Sequence, residues 1–109
     1  DIFIMNKVYP FPNPFSSKTH FTMIATHFPV NIIINIFSIN GVKINTLNKY
    51  VNECNESFSN SSGCFITIEW DGKDTYGHTI ANGAYFYQLI AEEENGQIFN
   101  NIYKLAKIK

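Results

Sequence analysis

Between residues 30 and 37 the chain alternates with a period of two: Val30, Ile32, Ile34 and Ile36 share one face, and Asn31, Ile33, Asn35 and Phe37 share the other. A period of two belongs to a strand, whose successive side chains point to opposite sides. The same alternation sets Ile66, Ile68 and Trp70 on one face of a second segment, and Tyr85, Tyr87, Leu89 and Ala91 on one face of a third. No segment sustains a 3.6-residue period, and short runs of β-branched and aromatic residues are separated by Pro, Gly, Asn and Ser. The pattern predicts seven strands, at about Ile4–Tyr9, Thr19–His27, Val30–Ile39, Val42–Val51, Cys64–Trp70, Ala84–Glu93 and Gln97–Lys107.

Seven short strands in 109 residues predict an all-β fold, an immunoglobulin-like β-sandwich of two antiparallel sheets whose inner faces form the core. The third strand is expected to be central, and the three apolar sets to supply most of the core. Burying each large apolar side chain contributes about 1.5–3 kcal/mol before conformational entropy is subtracted. A charge at Ile34 or Ile68 is therefore expected to unfold the domain.

Asn40-Gly41 and Asn95-Gly96 each stand between two apolar runs. Such a pair predicts a tight type I′ hairpin, which needs positive φ at both central residues. The second hairpin pairs the last two strands antiparallel. Tyr9-Pro10-Phe11-Pro12-Asn13-Pro14-Phe15 cannot lie inside a sheet, because its three prolines remove three ladder donors. Residues 10–16 are thus expected to be an extended lead-in to the second strand; a polyproline ligand lacks its basic flanks here. Residues 52–63, rich in Asn and Ser, read as an exposed loop.

Composition narrows the function classes. A chain of 109 residues has room for one domain. Its charged fraction is 16%, against roughly 25% in an average soluble domain, while the 45% hydrophobic content is ordinary. A net charge of −1 without a Lys/Arg cluster argues against nucleic acid as a partner, and against an anionic membrane surface. The longest apolar run, Val30 to Phe37, is too short to span a bilayer and is interrupted by Asn31 and Asn35. The chain opens on Asp1 and not on Met, from which a fragment of a longer protein is expected.

Candidate chemistry is sparse. Cys54 and Cys64 bracket the 52–63 loop. Either they are bonded, which would add about 2–3 kcal/mol by loop closure and imply an oxidising compartment, or they are two reduced thiols. Two cysteines with no paired His at ligand spacing leave a zinc tetrahedron half empty. His20, His27 and His78 show no spacing that promises a thiol, a base and an orienting group together. Asp71 and Asp74 flank Gly72 in a fragment of a calcium loop, but alternating oxygen ligands closed by a Glu are missing. The structural alternative makes Asp71-Gly72 a turn and Asp74 an Asx cap, with Gly77 and Gly83 at positive φ. No cofactor and no catalytic residue are expected.

Taken in order, Tyr9, Pro12-Asn13-Pro14-Phe15, Thr19, Ile36 to Gly41, Val42 to Leu47, Trp70-Asp71-Gly72-Lys73-Asp74, Gly77, Gly83 and Tyr85-Phe86-Tyr87 resemble the FlgD Ig-like domain family over nearly the whole chain. Such domains occur at the C-termini of bacterial exported proteins and in the flagellar hook-capping protein. The ending Asn101 to Lys109 resembles the closing strand of C-terminal domains handled by the type IX (Por) secretion system. Within that group the last hairpin and Ile68-Glu69-Trp70-Asp71-Gly72 are similar to the C-terminal domain of the type IX sortases, gingipain-like cysteine peptidases of the cell surface. The Cys54 to Cys64 insertion is not part of the common pattern.

The resemblance implies a non-catalytic sorting, docking or stabilising module whose partners are upstream domains of the parent chain and secretion-machinery or outer-membrane proteins. It places the parent in the periplasm, the outer membrane or on the cell surface. A structural assembly domain of a hook-capping protein is the alternative. Recognition is expected along a sheet edge, with the last strand carrying Lys104 and Lys107 as gatekeeping charges.

Overall fold

The computed structural model describes residues 2–54, 59–60 and 63–108. The described residues form eight strands: β1 (Met5–Phe11), β2 (Thr19–Ala25), β3 (Val30–Ser38), β4 (Lys43–Val51), β5 (Ser59–Asn60), β6 (Gly63–Trp70), β7 (Gly83–Glu93) and β8 (Ile98–Lys107). One sheet has the order β1-β2-β6-β5 and the other β4-β3-β7-β8, and every pair of strands within them is antiparallel. Two such sheets face to face, with the first, second and fifth long strands on one side, make an all-β sandwich of immunoglobulin type. No helix among the described residues is long and apolar enough to cross a membrane.

The alternating faces build the core. Val30, Ile32, Ile34 and Ile36 are fully buried, as are Tyr87, Leu89 and Ala91 on β7. Ile66, Ile68 and Trp70 close over them from β6, joined by Phe21 and Met23 of β2. β3 lies between β4 and β7 and is therefore central. Strand β2 carries five consecutive buried residues, Phe21 to Ala25, so alternation alone under-reads it.

The hairpins differ from the type I′ expectation. Gly41 N–H donates to the Ser38 carbonyl at 2.9 Å and Ser38 N–H donates to the Val42 carbonyl at 2.9 Å. Of the turn residues only Gly41 has positive φ, at 85°. The loop thus has three residues, a turn over Ile39-Asn40 followed by a left-handed Gly that forms a bulge. The same bonds recur at 3.0 Å between Gly96 and Glu93 and between Glu93 and Gln97. Asn-Gly serves both hairpin types, and the added loop residue is what keeps Asn40 and Asn95 at negative φ.

Two boundaries also move. β1 runs on through Pro10 to Phe11, which an edge strand tolerates because its outward N–H has no ladder partner to lose. Within the 52–63 stretch, Ser59 and Asn60 pair with Cys64 and Gly63 as β5, while residues 55–58 and 61–62 lie outside the described residues. Cys54 and Cys64 are bonded, with Cα atoms 5.8 Å apart, tying the chain after β4 to the start of β6.

Two stability measurements check this arrangement. Ile34→Ala should lower the urea-unfolding free energy by about 2–5 kcal/mol, since the packed sheets cannot collapse around the lost methylenes; a loss under 1 kcal/mol would contradict a packed centre there. The Cys54→Ser, Cys64→Ser double variant should lose about 2–3 kcal/mol, and reductant should have the same effect on the parent chain.

Candidate functional site

Most residues of the distinctive sequence motif meet at one end of the sandwich. β2 and β7 begin there, and β3, β6 and β8 end there, since Thr19 pairs with Trp70, Ser38 with Tyr85 and Lys107 with Gly83. The Asn40-Gly41 turn therefore sits at this end too. The chain from Pro12 to Phe15 lies across it: the Thr19 hydroxyl donates to the Pro12 carbonyl at 2.7 Å, and the Asn13 Oδ1 accepts from the Ala106 N–H at 3.0 Å. Beyond Pro14, Phe15 N–H donates to the Ala106 carbonyl at 3.0 Å and its own carbonyl accepts from Ile108 N–H at 2.8 Å. This short parallel pairing clasps the end of β8.

Aromatic packing fixes the clasp. The Phe15 ring lies 5.5 Å from Trp70 and Phe21 stacks on Trp70 at 6.2 Å; Phe21 meets Tyr87 at 4.6 Å and Tyr87 stacks on Tyr103 at 5.2 Å. The row crosses from one sheet to the other. Trp70 Nε1 donates to the Lys73 carbonyl at 3.0 Å, so its buried N–H is satisfied. Gly72 is required by the same packing: at φ 71° a Cβ would stand 3.1 Å from the Phe15 ring and from the Ser17 carbonyl.

The 71–82 connection is organised by its own carboxylates. Asp71 Oδ1 accepts from Lys73 N–H at 3.2 Å, and Asp74 Oδ1 accepts from Tyr76 and His78 N–H, both at 2.9 Å. The His78 N–H foremost holds the Asp74 carboxyl below the usual range. Gly77 and Gly83 have positive φ, 86° and 149°. Thr75 bonds the Ile44 carbonyl through both its N–H, at 3.1 Å, and its hydroxyl, at 2.9 Å. Tyr85 then bonds back to the Ala81 carbonyl at 2.6 Å, the tyrosine corner of immunoglobulin-like folds. The sequence pattern puts Tyr85 on the core face and in the motif but does not display this bond; a Tyr at the start of the penultimate long strand is its signal.

None of this constitutes a reactive centre. Both cysteines are in the disulfide. His20 faces Glu69 at 3.3 Å, His27 the Thr26 hydroxyl at 2.7 Å and His78 the Asp74 carboxylate at 3.6 Å. No group of three metal-ligating side chains occurs among the described residues.

The sheet edges are where the molecule is open to a partner. β1 is blunted by Pro10 and by a bulge between Asn6 and Tyr9, with Lys7 at φ 50°, and β5 has only two residues. β4 is covered at Ile44 by Thr75, and its Thr46 N–H is taken by Asn45 Oδ1 at 2.7 Å. On β8, Ala106 turns its N–H and carbonyl away from β7 toward Asn13 and Phe15. Alternation then points the backbone groups of Ile98, Asn100, Ile102 and Lys104 outward as well. Of these the Ile102 N–H is taken by Asn101 Oδ1 at 2.9 Å.

Lys104 is exposed on this edge, but Lys107 corrects the gatekeeper expectation. It is buried on the core face beside Leu105, and its ammonium donates to Asn82 Oδ1 at 3.4 Å. Next to the edge, Ile102 and Phe86 join Phe37 and Ile39 in a shallow apolar groove of about 380 Å³. Across the outer face runs a polar ladder: Thr46 donates to Asn35 at 2.9 Å, Asn35 to Gln88 at 3.2 Å and Gln88 to Asn100 at 3.1 Å. It spans all four strands and ends on β8.

No protein-family model and no curated protein sequence matches the chain. Solved structures do. The chain is similar to dimeric latent PorU from Porphyromonas gingivalis, at 24% identity and a TM-score of 0.76, over 99% of this chain and 10% of that one. It is similar to FlgD from P. aeruginosa, at 20% identity and 0.51, over 80% of this chain and 61% of FlgD. It is also similar to PorZ of P. gingivalis, an essential bacterial surface component of the type IX secretion system, at 14% identity and 0.51, over 94% of this chain and 12% of PorZ. The fold is thus shared with both groups that the sequence resembles, FlgD and the Por proteins of type IX secretion.

Gly72→Ala should cost about 1–2 kcal/mol from the left-handed backbone alone, with further loss as Phe15 is pushed from Trp70; unchanged urea unfolding would contradict the clasp. Tyr87 offers a test with the opposite sign. Its hydroxyl is buried with no hydrogen-bond partner among the described residues, so Tyr87→Phe should leave stability unchanged or raise it by up to about 2 kcal/mol. Burial, and then the charge of Tyr103, push the Tyr87 phenol up, and burial also raises Tyr85 and Tyr103. Stability from such groups is complete below the ordinary tyrosine value of 10.0 and is lost as pH rises past it. The parent chain should therefore weaken in alkali more steeply than Tyr87→Phe.

Proposed function

We propose that this chain is a non-catalytic immunoglobulin-like module of an exported bacterial protein, acting in type IX secretion as a sorting, docking or stabilising domain, and that the carrier is the cell-surface sortase. The observation that carries the reading is the likeness to PorU along 99% of the chain at a TM-score of 0.76, against 0.51 for FlgD. The likeness to PorZ, a surface component of the same system, supports it. So does the Cys54–Cys64 disulfide, which suits an oxidising compartment such as the periplasm or cell surface.

The module works by surface recognition. Its partners are the upstream domains of the carrier and proteins of the secretion machinery or outer membrane. The motif end is consumed by internal bonds, so Asn13, Phe15, Trp70, Gly72 and Asp74 serve as framework and the outward edge of β8 serves as the contact. The second reading, a structural domain of a hook-capping protein, draws on the likeness to FlgD over 80% of the chain.

Fusing the chain to the C-terminus of a periplasmic reporter separates the two. In a type IX-competent host the reporter should become accessible to protease added outside the cells, and in a strain lacking the type IX translocon it should stay inside. Retention in both strains, or surface exposure in both, would overturn the secretory reading.

A further inference from the structure

The open stretch of β8 is complementary to itself. Its outward backbone groups belong to Ile98, Asn100, Ile102 and Lys104, and the side chains of the same four residues lie on the outer face of the sheet. We propose that a second copy of this chain pairs antiparallel with β8 about a two-fold axis at Asn100. The edge cannot hold a second copy and a secretion partner at once, so this pair is the state of the chain with no such partner bound, and it is argued from the β8 edge and its neighbours without the secretory reading.

Three observations select that occupant and that register. The first is the polar ladder. Each member donates to the next, from Thr46 through Asn35 and Gln88 to the Asn100 Oδ1. An amide oxygen accepts two bonds and an amide nitrogen offers two hydrogens. With Asn100 facing the partner's Asn100, each amide donates to the other, and the ladder runs unbroken across eight strands.

The second is the match of apolar positions. An axis at Asn100 sets Ile98 opposite the partner's Ile102 and Ile102 opposite the partner's Ile98. Both are 60% exposed in the single chain, and each pair would shield the other in a directly cross-strand position. The partner's Ile98 carbonyl would take the Ile102 N–H from the local Asn101 side chain. Moving the axis one residue to Asn101 would instead set isoleucine against Lys104 and asparagine.

The third is charge and length. Glu92 and Glu94, both exposed, lie at the end of β7 beside the start of β8, and Lys104 lies toward the far end of β8. Antiparallel pairing brings each lysine to the acidic end of the other copy, whereas parallel pairing aligns like charges. The clasp at Ala106 and Ile108 ends the free edge after Lys104. In this register Lys104 faces the partner's Gly96, where the partner strand turns back into its own hairpin. The paired length therefore equals the uncovered length. Such an interface is isologous and closes at two copies.

The test is cysteine scanning on the 109-residue chain with its native disulfide retained, alongside sedimentation velocity over a range of concentrations. Facing residues in a hydrogen-bonded antiparallel pair have Cα atoms about 5.5 Å apart, within disulfide reach. Asn100→Cys should form a disulfide-linked dimer in air. Ile98→Cys and Ile102→Cys should each stay monomeric alone and cross-link when mixed. Without cross-linking, the parent chain should dimerise with rising concentration, and Asn100→Asp, which sets two carboxylates face to face, should shift the dimer to monomer at neutral pH. A parent chain monomeric at every concentration, with no cross-link at position 100, would overturn the proposal. Equal cross-linking of Ile98→Cys alone would do the same, since it signals parallel pairing.

Discussion

Trp70 packs between Phe15 and Phe21, and the arrangement of the sandwich at its motif end depends on that contact. The three rings come from the lead-in segment, β2 and the end of β6, and the row continues through Tyr87 and Tyr103 into the opposite sheet. Each such pair contributes about 0.5–1.5 kcal/mol beyond the burial of its surface. The geometric effect is larger than the energy of any one pair. Seating Phe15 on Trp70 brings the Asn13 side chain and the Phe15 backbone against Ala106 and Ile108, so a segment preceding β2 clasps the last strand of the other sheet. The Lys73 carbonyl accepts from both Trp70 Nε1 and the Asn45 side chain, coupling the tryptophan to β4.

Whatever obeys a period of two was legible before the structure. The core sets on β3, β6 and β7 and the central position of β3 follow from alternation, because one-sided burial leaves a regular trace. What depends on non-local pairing left weaker traces. Asn40-Gly41 and Asn95-Gly96 signal a hairpin but not its loop length, and the type depends on whether the strands resume pairing after two residues or three. Lys107 reads as an exposed charge until its place on the core face with Leu105 is known, where Asn82 accepts its ammonium. Pro10 lies inside β1 because that strand is an edge, a property of sheet order and not of the strand itself. Tyr85 carried a second role, the corner bond to Ala81, that hydrophobicity does not display.

The motif residues and the proposed recognition surface are different sets of atoms. Asn13, Phe15, Trp70, Gly72, Asp71 and Asp74 are spent on internal contacts, so a sequence resemblance built on them reports the framework. The groups that the framework leaves outward are the backbone of β8 from Ile98 to Lys104, the ladder ending on Asn100 and the groove beside Ile102. A blunted β1, a two-residue β5 and a β4 covered at Ile44 favour pairing on that strand. The opposite end of the sandwich is held by the Cys54–Cys64 bond, which suits a domain working outside reducing compartments.

Phe15 on Trp70 closes one end of β8 and leaves the rest of its edge open. Native-state amide exchange on the dilute chain reads the closed and the open part of that edge together. The Phe15, Ala106 and Ile108 amides should exchange only through global unfolding, while those of Asn100 and Lys104 should exchange orders of magnitude faster. Rapid exchange at Ala106 and Ile108, matching that of Asn100, would contradict it.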